Sequence, residues 1–70
     1  MVKKFEVEND FHNARFDRWF KHKVLDIPQG LIEKIIRKNQ AKVNGKRTKS
    51  SYRVQENDTI EIFNIDKIKK

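Results

Sequence analysis

The stretch Ile35-Ile36-Arg37-Lys38-Asn39-Gln40-Ala41-Lys42-Val43-Asn44-Gly45 changes its repeat twice, and those two changes decide the fold. Ile35 and Ile36 continue a stripe begun by Leu31 and Ile32, in which apolar residues recur at helical spacing. Glu33, Lys34, Arg37 and Lys38 turn the other way, so a helix is predicted that ends near Asn39. Ala41-Lys42-Val43 then alternates as a brief strand does, and Asn44-Gly45 predicts a tight hairpin turn because both residues tolerate positive φ.

Upstream of this stretch, Asp26-Ile27-Pro28 marks a boundary. The residue before a proline is pushed out of the helical region, while the proline suits a first helical position, which puts the cap at Asp26 or Ile27. Phe16, Trp19, Phe20 and Val24 recur at three- and four-residue intervals with Arg15, Arg18, Lys21 and His22 opposite, predicting a first helix over residues 13–24. Before it, Phe5 and Val7 share a face of a short strand over residues 3–7. Downstream, residues 46–51 are polar, and Tyr52 and Val54 alternate with Arg53 and Gln55 as in another short strand. Asn57-Asp58 turns the chain into the clearest strand, residues 59–63. Residues 64–70 read as a tail or the stump of a linker after a domain spanning residues 1–63.

A strand, two helices and three short strands, in that order, imply an α+β fold: two packed helices against a small sheet of three to four strands. The core should comprise Phe16, Trp19, Phe20, Val24, Leu31, Ile32, Ile35, Ile36, Val43, Val54, Ile60 and Ile62.

Seventy residues allow one thin core. The sequence has no cysteine, so neither a disulfide framework nor a thiolate metal site supports that core. The apolar runs are two or three residues long, far below the roughly 20 that span a bilayer. The first residues alternate Phe5 and Val7 with Glu6 and Glu8, unlike a secretory signal, so a cytoplasmic protein is expected. The net charge is +7, and its placement matters more than its size. Residues 15–53 hold twelve lysines and arginines against three acids, whereas the rest of the chain holds five lysines and seven acids. A polyanion is the natural partner of such a block, because each phosphate neutralised releases condensed counterions.

The sequence offers little to an enzyme. His12 and His22 stand ten apart with no cysteine or paired carboxylates at ligand spacing, Gly30 and Gly45 make no phosphate loop, and Ser50 and Ser51 sit in a polar turn with no recognisable third partner. No catalytic residue, metal or cofactor is expected.

Three pieces then carry a family resemblance: Arg15-Phe16-Asp17 opening a helix, Ile35 to Gln40 leading into Lys42-Val43-Asn44-Gly45-Lys46, and Asn57-Asp58-Thr59-Ile60 before a strand. Together the sequence resembles the S4 RNA-binding domain of the αL type from about Arg15 to Phe63. The runs Ile27-Pro28-Gln29-Gly30-Leu31-Ile32-Glu33-Lys34 and Lys46-Arg47-Thr48-Lys49-Ser50-Ser51-Tyr52-Arg53-Val54 look most like the N-terminal domain of large-subunit rRNA pseudouridine synthases of the RluC type. The resemblance implies a targeting module that leads a larger catalytic domain, an isomerase, to 23S rRNA; a monomer is expected. Arg15-Phe16-Asp17 superficially echoes the catalytic His-Arg-Leu-Asp type motif of those synthases. Here Ala14 precedes it and Arg18-Trp19-Phe20 continues a helix, so Asp17 reads as a first-turn acid favoured by the helix dipole.

If the helices pack as the resemblance implies, three basic groups share one surface: Arg15, Arg18 and Lys21; Lys34, Arg37 and Lys38; and Lys42, Lys46, Arg47, Lys49 and Arg53. Gln29, Gln40, Asn44 and Tyr52 add uncharged donors, as do the hydroxyls of Thr48, Ser50 and Ser51. The arginines offer forked donors to phosphate and the lysines a less directional attraction. Shape should be read more than sequence, since A-form RNA hides its major groove. Two other functions compete with the targeting module: a free-standing ribosome-associated protein of the same family, and a basic module for acidic proteins or membrane surfaces, which lacks a long amphipathic helix.

Overall fold

The computed structural model of the chain describes residues 2–64. Its elements are β1 (Val2–Glu6), a 3-10 turn (Asn9–Phe11), α1 (Phe16–Lys23), α2 (Gln29–Arg37), β2 (Ala41–Val43) and β3 (Thr59–Phe63). β3 lies in the middle of a three-stranded sheet, antiparallel to β1 and to β2. The two helices pack on this sheet, which is the expected α+β architecture. The predicted tail, apart from Asn64, lies outside the described residues.

Register sorts the side chains. Ile60 faces Phe5 and Val43 across the sheet, and Ile62 faces Lys3 and Ala41. Successive residues of a strand point to opposite faces, so Ile60, Ile62, Ala41 and Val43 turn toward the helices. They meet Phe16, Trp19, Phe20, Ile32, Ile35 and Ile36 there, with Val7 and Val54 closing the cluster. On the outer face, Lys4, Glu61 and Lys42 stand side by side.

The junction from α2 through β2 into the hairpin is built as its residues dictate. Asn39 takes φ 64 just past α2; its N–H reaches the carbonyl of Ile36, and that of Gln40 reaches Ile35, both at 3.1 Å. These two bonds form a Schellman closure, with asparagine in the left-handed position usually held by glycine. Asn44 (φ 52) and Gly45 (φ 78) make the two-residue turn, and Val43 and Lys46 exchange both backbone bonds across it. Positive φ at both central positions matches the right-handed twist of the flanking strands.

Four expectations need correction. The first helix starts at Phe16, not residue 13, because Asn13 turns the chain at φ 70 and Asn13 to Arg15 bond to Arg53 and Val54 instead of entering the helix. The segment at Tyr52 to Val54 is consequently no strand of the sheet and contributes only the Arg15–Arg53 bridge. Pro28 caps α2 and does not begin it: its carbonyl accepts the N–H groups of Leu31 and Ile32. Finally, Leu31 is 41% exposed and Val24 only partly buried. Ile32, Ile35 and Ile36 suffice to fill the contact of α2, which leaves Leu31 at its margin.

Candidate nucleic-acid interface

The polar segment after the hairpin, residues 47–54, is held against the start of α1 by backbone bonds. A helix begins with N–H groups that have no partner inside it. Here the N–H of Phe16 donates to the carbonyl of Tyr52 at 2.7 Å, that of Asp17 to Ser50 at 3.2 Å, and that of Arg18 to the Asp17 carboxylate at 2.7 Å. The basic segment thus caps the helix, and its position is fixed by that requirement.

Asp17 is the polar centre of this junction. It is 3% exposed, yet its oxygens accept from Arg15 Nε (3.2 Å) and Nη2 (3.0 Å), from Gln29 Nε2 (2.6 Å) and from the Arg18 backbone. Burial pushes the Asp17 carboxyl upward, but the hydrogen bonds from Arg15, Gln29 and Arg18, with the charge of Arg15, outweigh it and hold the group below the usual carboxylate range. The same hydrogen bond and ion pair raise the Arg15 guanidinium. Asp17 therefore joins α1 to the first turn of α2, and fixes the direction of an arginine whose side chain is still 49% exposed.

A second carboxylate orders the other end of the segment. Asp58 accepts from the Tyr52 hydroxyl at 2.8 Å, from the Gln55 N–H at 2.9 Å and from Asn44 Nδ2 at 3.1 Å. Burial favours its neutral form, but these bonds and the nearby His12 lower it overall. The Tyr52 hydroxyl is raised by burial and by its bond to the Asp58 charge. Asn44 also accepts the Thr59 N–H at 2.9 Å through its side chain. Tyr52 and Asn44, named as RNA donors from the sequence, are thus engaged within the protein.

The basic groups gather along residues 46–53. A cleft of about 290 Å³ between α2 and this segment is lined by Arg37, Arg47 and Lys49, with Glu33, Ile36 and the hydroxyl residues Thr48, Ser50 and Ser51. Among the described residues, no ion pair engages its three cations. Lys34 and Lys38, exposed and one helical turn apart, extend the outer row of α2 beside Arg37. A second cleft, at the start of α1, is lined by Arg15, Arg18 and Arg53 with His12 and His22. Lys46 and Arg47 border a third hollow, below the hairpin, with Asn44 and Tyr52.

Other candidates stand apart or are occupied. Lys42 lies on the outer face of the sheet, its Nζ 5.5 Å from the Phe63 ring centroid. Lys21 pairs with Asp26 at 3.8 Å near the link between the helices. Gln29 donates to Asp17 and to Glu33. Gln40 is half-buried between the α2 closure and β2. Among the described residues, no group of three His, Cys, Asp or Glu side chains could hold a metal ion, and no helix is long and apolar enough to cross a membrane.

This arrangement of cations and hydroxyls can grip a polyanion. Comparison with known proteins gives it a context. The chain is similar to part of ribosomal large subunit pseudouridine synthase C. The synthase of Vibrio parahaemolyticus is 32% identical over 57 residues, covering 81% of this chain and 18% of the relative. That of Haemophilus ducreyi is 34% identical over 61 residues, 87% of this chain and 19% of the relative. That of Buchnera aphidicola is 30% identical over 56 residues, 80% and 18% respectively. The chain thus spans less than a fifth of the length of these curated synthases. No family model and no solved structure matches it.

Asp58, the hydrogen-bonding part of Asp17 and His12 were missed by the sequence reading; His12 Nδ1 accepts the Glu56 N–H at 3.0 Å. Only Asp58 carried a local signal, since an aspartate in an Asn-Asp turn readily accepts nearby backbone N–H groups. The match to the synthases is collinear and so does not mark pairs such as Asp17 with Gln29, which folding alone brings together.

Proposed function

We propose that the chain is an S4-type RNA-binding domain that positions a ribosomal large-subunit pseudouridine synthase on structured 23S rRNA in the cytoplasm, without taking part in the isomerisation itself. The observation that carries this reading is the cleft beside α2, where Arg37, Arg47 and Lys49 converge free of ion pairs among the described residues and alongside three hydroxyl side chains. Forked guanidinium donors suit phosphate oxygens, and serine and threonine hydroxyls add neutral contacts to backbone or sugar. The fixed Arg15, with Arg18 and Arg53, offers a second phosphate contact around the start of α1. Two such clefts flanking one segment fit a junction, bulge or helix end better than a continuous duplex, whose major groove is closed to side chains. The likeness to one short segment of much longer synthases supports a guiding module over a free-standing ribosomal factor.

Binding of the 70-residue chain to structured 23S rRNA fragments at several salt concentrations tests the reading. With about five phosphates neutralised, log K should fall against log salt with a slope of roughly −3.5 to −4.5. Absent or salt-insensitive binding overturns it.

A further inference from the structure

Glu33 is the one acid in the cleft beside α2, and its place there calls for a reason. A carboxylate repels phosphate, and Glu33 forms no ion pair among the described residues that would make it a partner of Arg37 or Arg47. Among the described residues its one side-chain hydrogen bond comes from Gln29 Nε2, at 3.0 Å to Oε2. Because Gln29 is itself anchored at 2.6 Å on the buried Asp17, the Glu33 carboxylate is held through Oε2, and Oε1 accepts no hydrogen bond among the described residues. Glu33, Ile36 and Arg37 stand at i, i+3 and i+4 and thus share one side of α2. Ile36, 2% exposed, gives the cleft a small apolar floor.

We infer that this cleft receives one unpaired guanine of the bound RNA, with Glu33 accepting from its Watson–Crick edge while its phosphate lies on Arg37 and Arg47. The inference rests on the RNA-binding reading and deepens it. An ionised carboxylate only accepts, and it favours two parallel donors. Guanine alone offers two adjacent donors, N1–H and N2–H. Adenine and cytosine present one amino group beside an acceptor nitrogen, and uracil one N–H between two carbonyls. The volume, about 290 Å³, is at the lower limit for small-ligand sites, which suits a single base. Arginine planes at the rim can stack on a base that has left its helix. Glu33 would then add a base preference to a surface that otherwise reads shape and charge.

The test uses the 70-residue chain and four RNA hairpins identical except for one bulged nucleotide, G, A, C or U, with affinities measured by fluorescence anisotropy at one salt concentration. Wild type should bind the G bulge about tenfold more tightly than the other three, the discrimination expected of a bidentate base contact. Glu33→Gln should bring the four affinities within about twofold of each other while binding to the A, C and U bulges is kept or strengthened, since a negative charge has gone. Arg37→Ala guards against a merely structural explanation: it should weaken all four complexes alike and keep the preference for G. Equal wild-type affinity for all four RNAs, a preference for another base, or a G preference that survives Glu33→Gln overturns the inference and leaves the RNA-binding reading standing. Failure to bind any of the four overturns the reading together with the inference.

Discussion

The two arginine-rich clefts both draw on residues 47–53, yet they hold their cations differently. At the start of α1, Arg15 is gripped through two nitrogens by Asp17, and Arg53 Nη1 donates to the Asn13 carbonyl at 3.2 Å. Beside α2, Arg37, Arg47 and Lys49 have no ion-pair partner among the described residues. A tethered guanidinium loses little side-chain freedom when it meets a phosphate, but part of its charge is already answered. A free one brings its whole charge and must be ordered on binding. The first cleft should therefore contribute position and the second the larger share of salt-dependent affinity.

Both clefts stand on one core, and its removal should have the largest effect. Phe20 and Ile35 are buried where α1 and α2 meet the sheet. Phe20→Ala or Ile35→Ala should cost about 2–5 kcal/mol, comparable with the whole stability of a small domain. Circular dichroism melting should then show a largely unfolded chain near room temperature, with both clefts lost together.

Next in size is the tether itself. Asp17→Ala removes the acceptor of Arg15, Gln29 and the Arg18 N–H, and should cost about 1–3 kcal/mol for the buried donors left without partners. Asp17→Asn keeps the shape but removes the charge and one of the two acceptor oxygens, so the side chain no longer titrates. Because the folded Asp17 titrates below its ordinary range, its contribution is complete above about pH 4 and is lost as the pH falls through the lowered value. Asp58 acts with the same sign. Acid titration of wild type should show stability falling below about pH 4, with a shallower fall in Asp17→Asn. Equal slopes in the two proteins would remove Asp17 from this account.

How far the sequence foretells these features depends on the distance over which they are specified. The stripe Ile32, Ile35, Ile36 and the Asn44-Gly45 turn are local, set by helical period and by φ, and they were legible. So was the alternation in β3, where Ile60 and Ile62 turn inward. The non-helical segment at Asn13 to Arg15 was not, because the competing helical pattern is local while the bonds that override it come from Val54, forty residues on. The basic block marked the region of the clefts but not the state of its members. Arg15 and Arg37 look alike in sequence, and only the fold gives one of them a buried carboxylate.

Single arginines should separate the tethered cations from the free ones. Arg37→Ala and Arg47→Ala should each lower RNA affinity several-fold and make the salt slope shallower by about 0.7–0.9, as expected for one phosphate contact, with little change in melting. Arg15→Ala should differ by lowering stability as well, since it leaves the Asp17 carboxylate buried without its charge partner. Identical profiles for Arg15→Ala and Arg37→Ala, in both melting and salt dependence, would erase the distinction between a tethered and a free cation.

The smallest effect belongs to a lysine from the same basic block. Lys42 counts toward that charge in sequence, but it stands on the outer face of the sheet beside Glu61, opposite the side on which the buried Ala41 and Val43 meet the helices. Its ammonium lies over the Phe63 ring, in a neighbourhood where Lys4 and Glu61 alternate in charge. At physiological salt, charges more than about 8 Å apart at an exposed surface are largely screened, so Lys42 has little influence on a phosphate held beside α2. Lys42→Ala should leave the salt slope unchanged and shift stability by no more than about 0.5 kcal/mol, the usual range for an exposed position. A loss of affinity as large as that from Arg37→Ala would mean that the RNA also reaches the open face of the sheet. The division between the two faces, and not only between the two clefts, would then have to be redrawn.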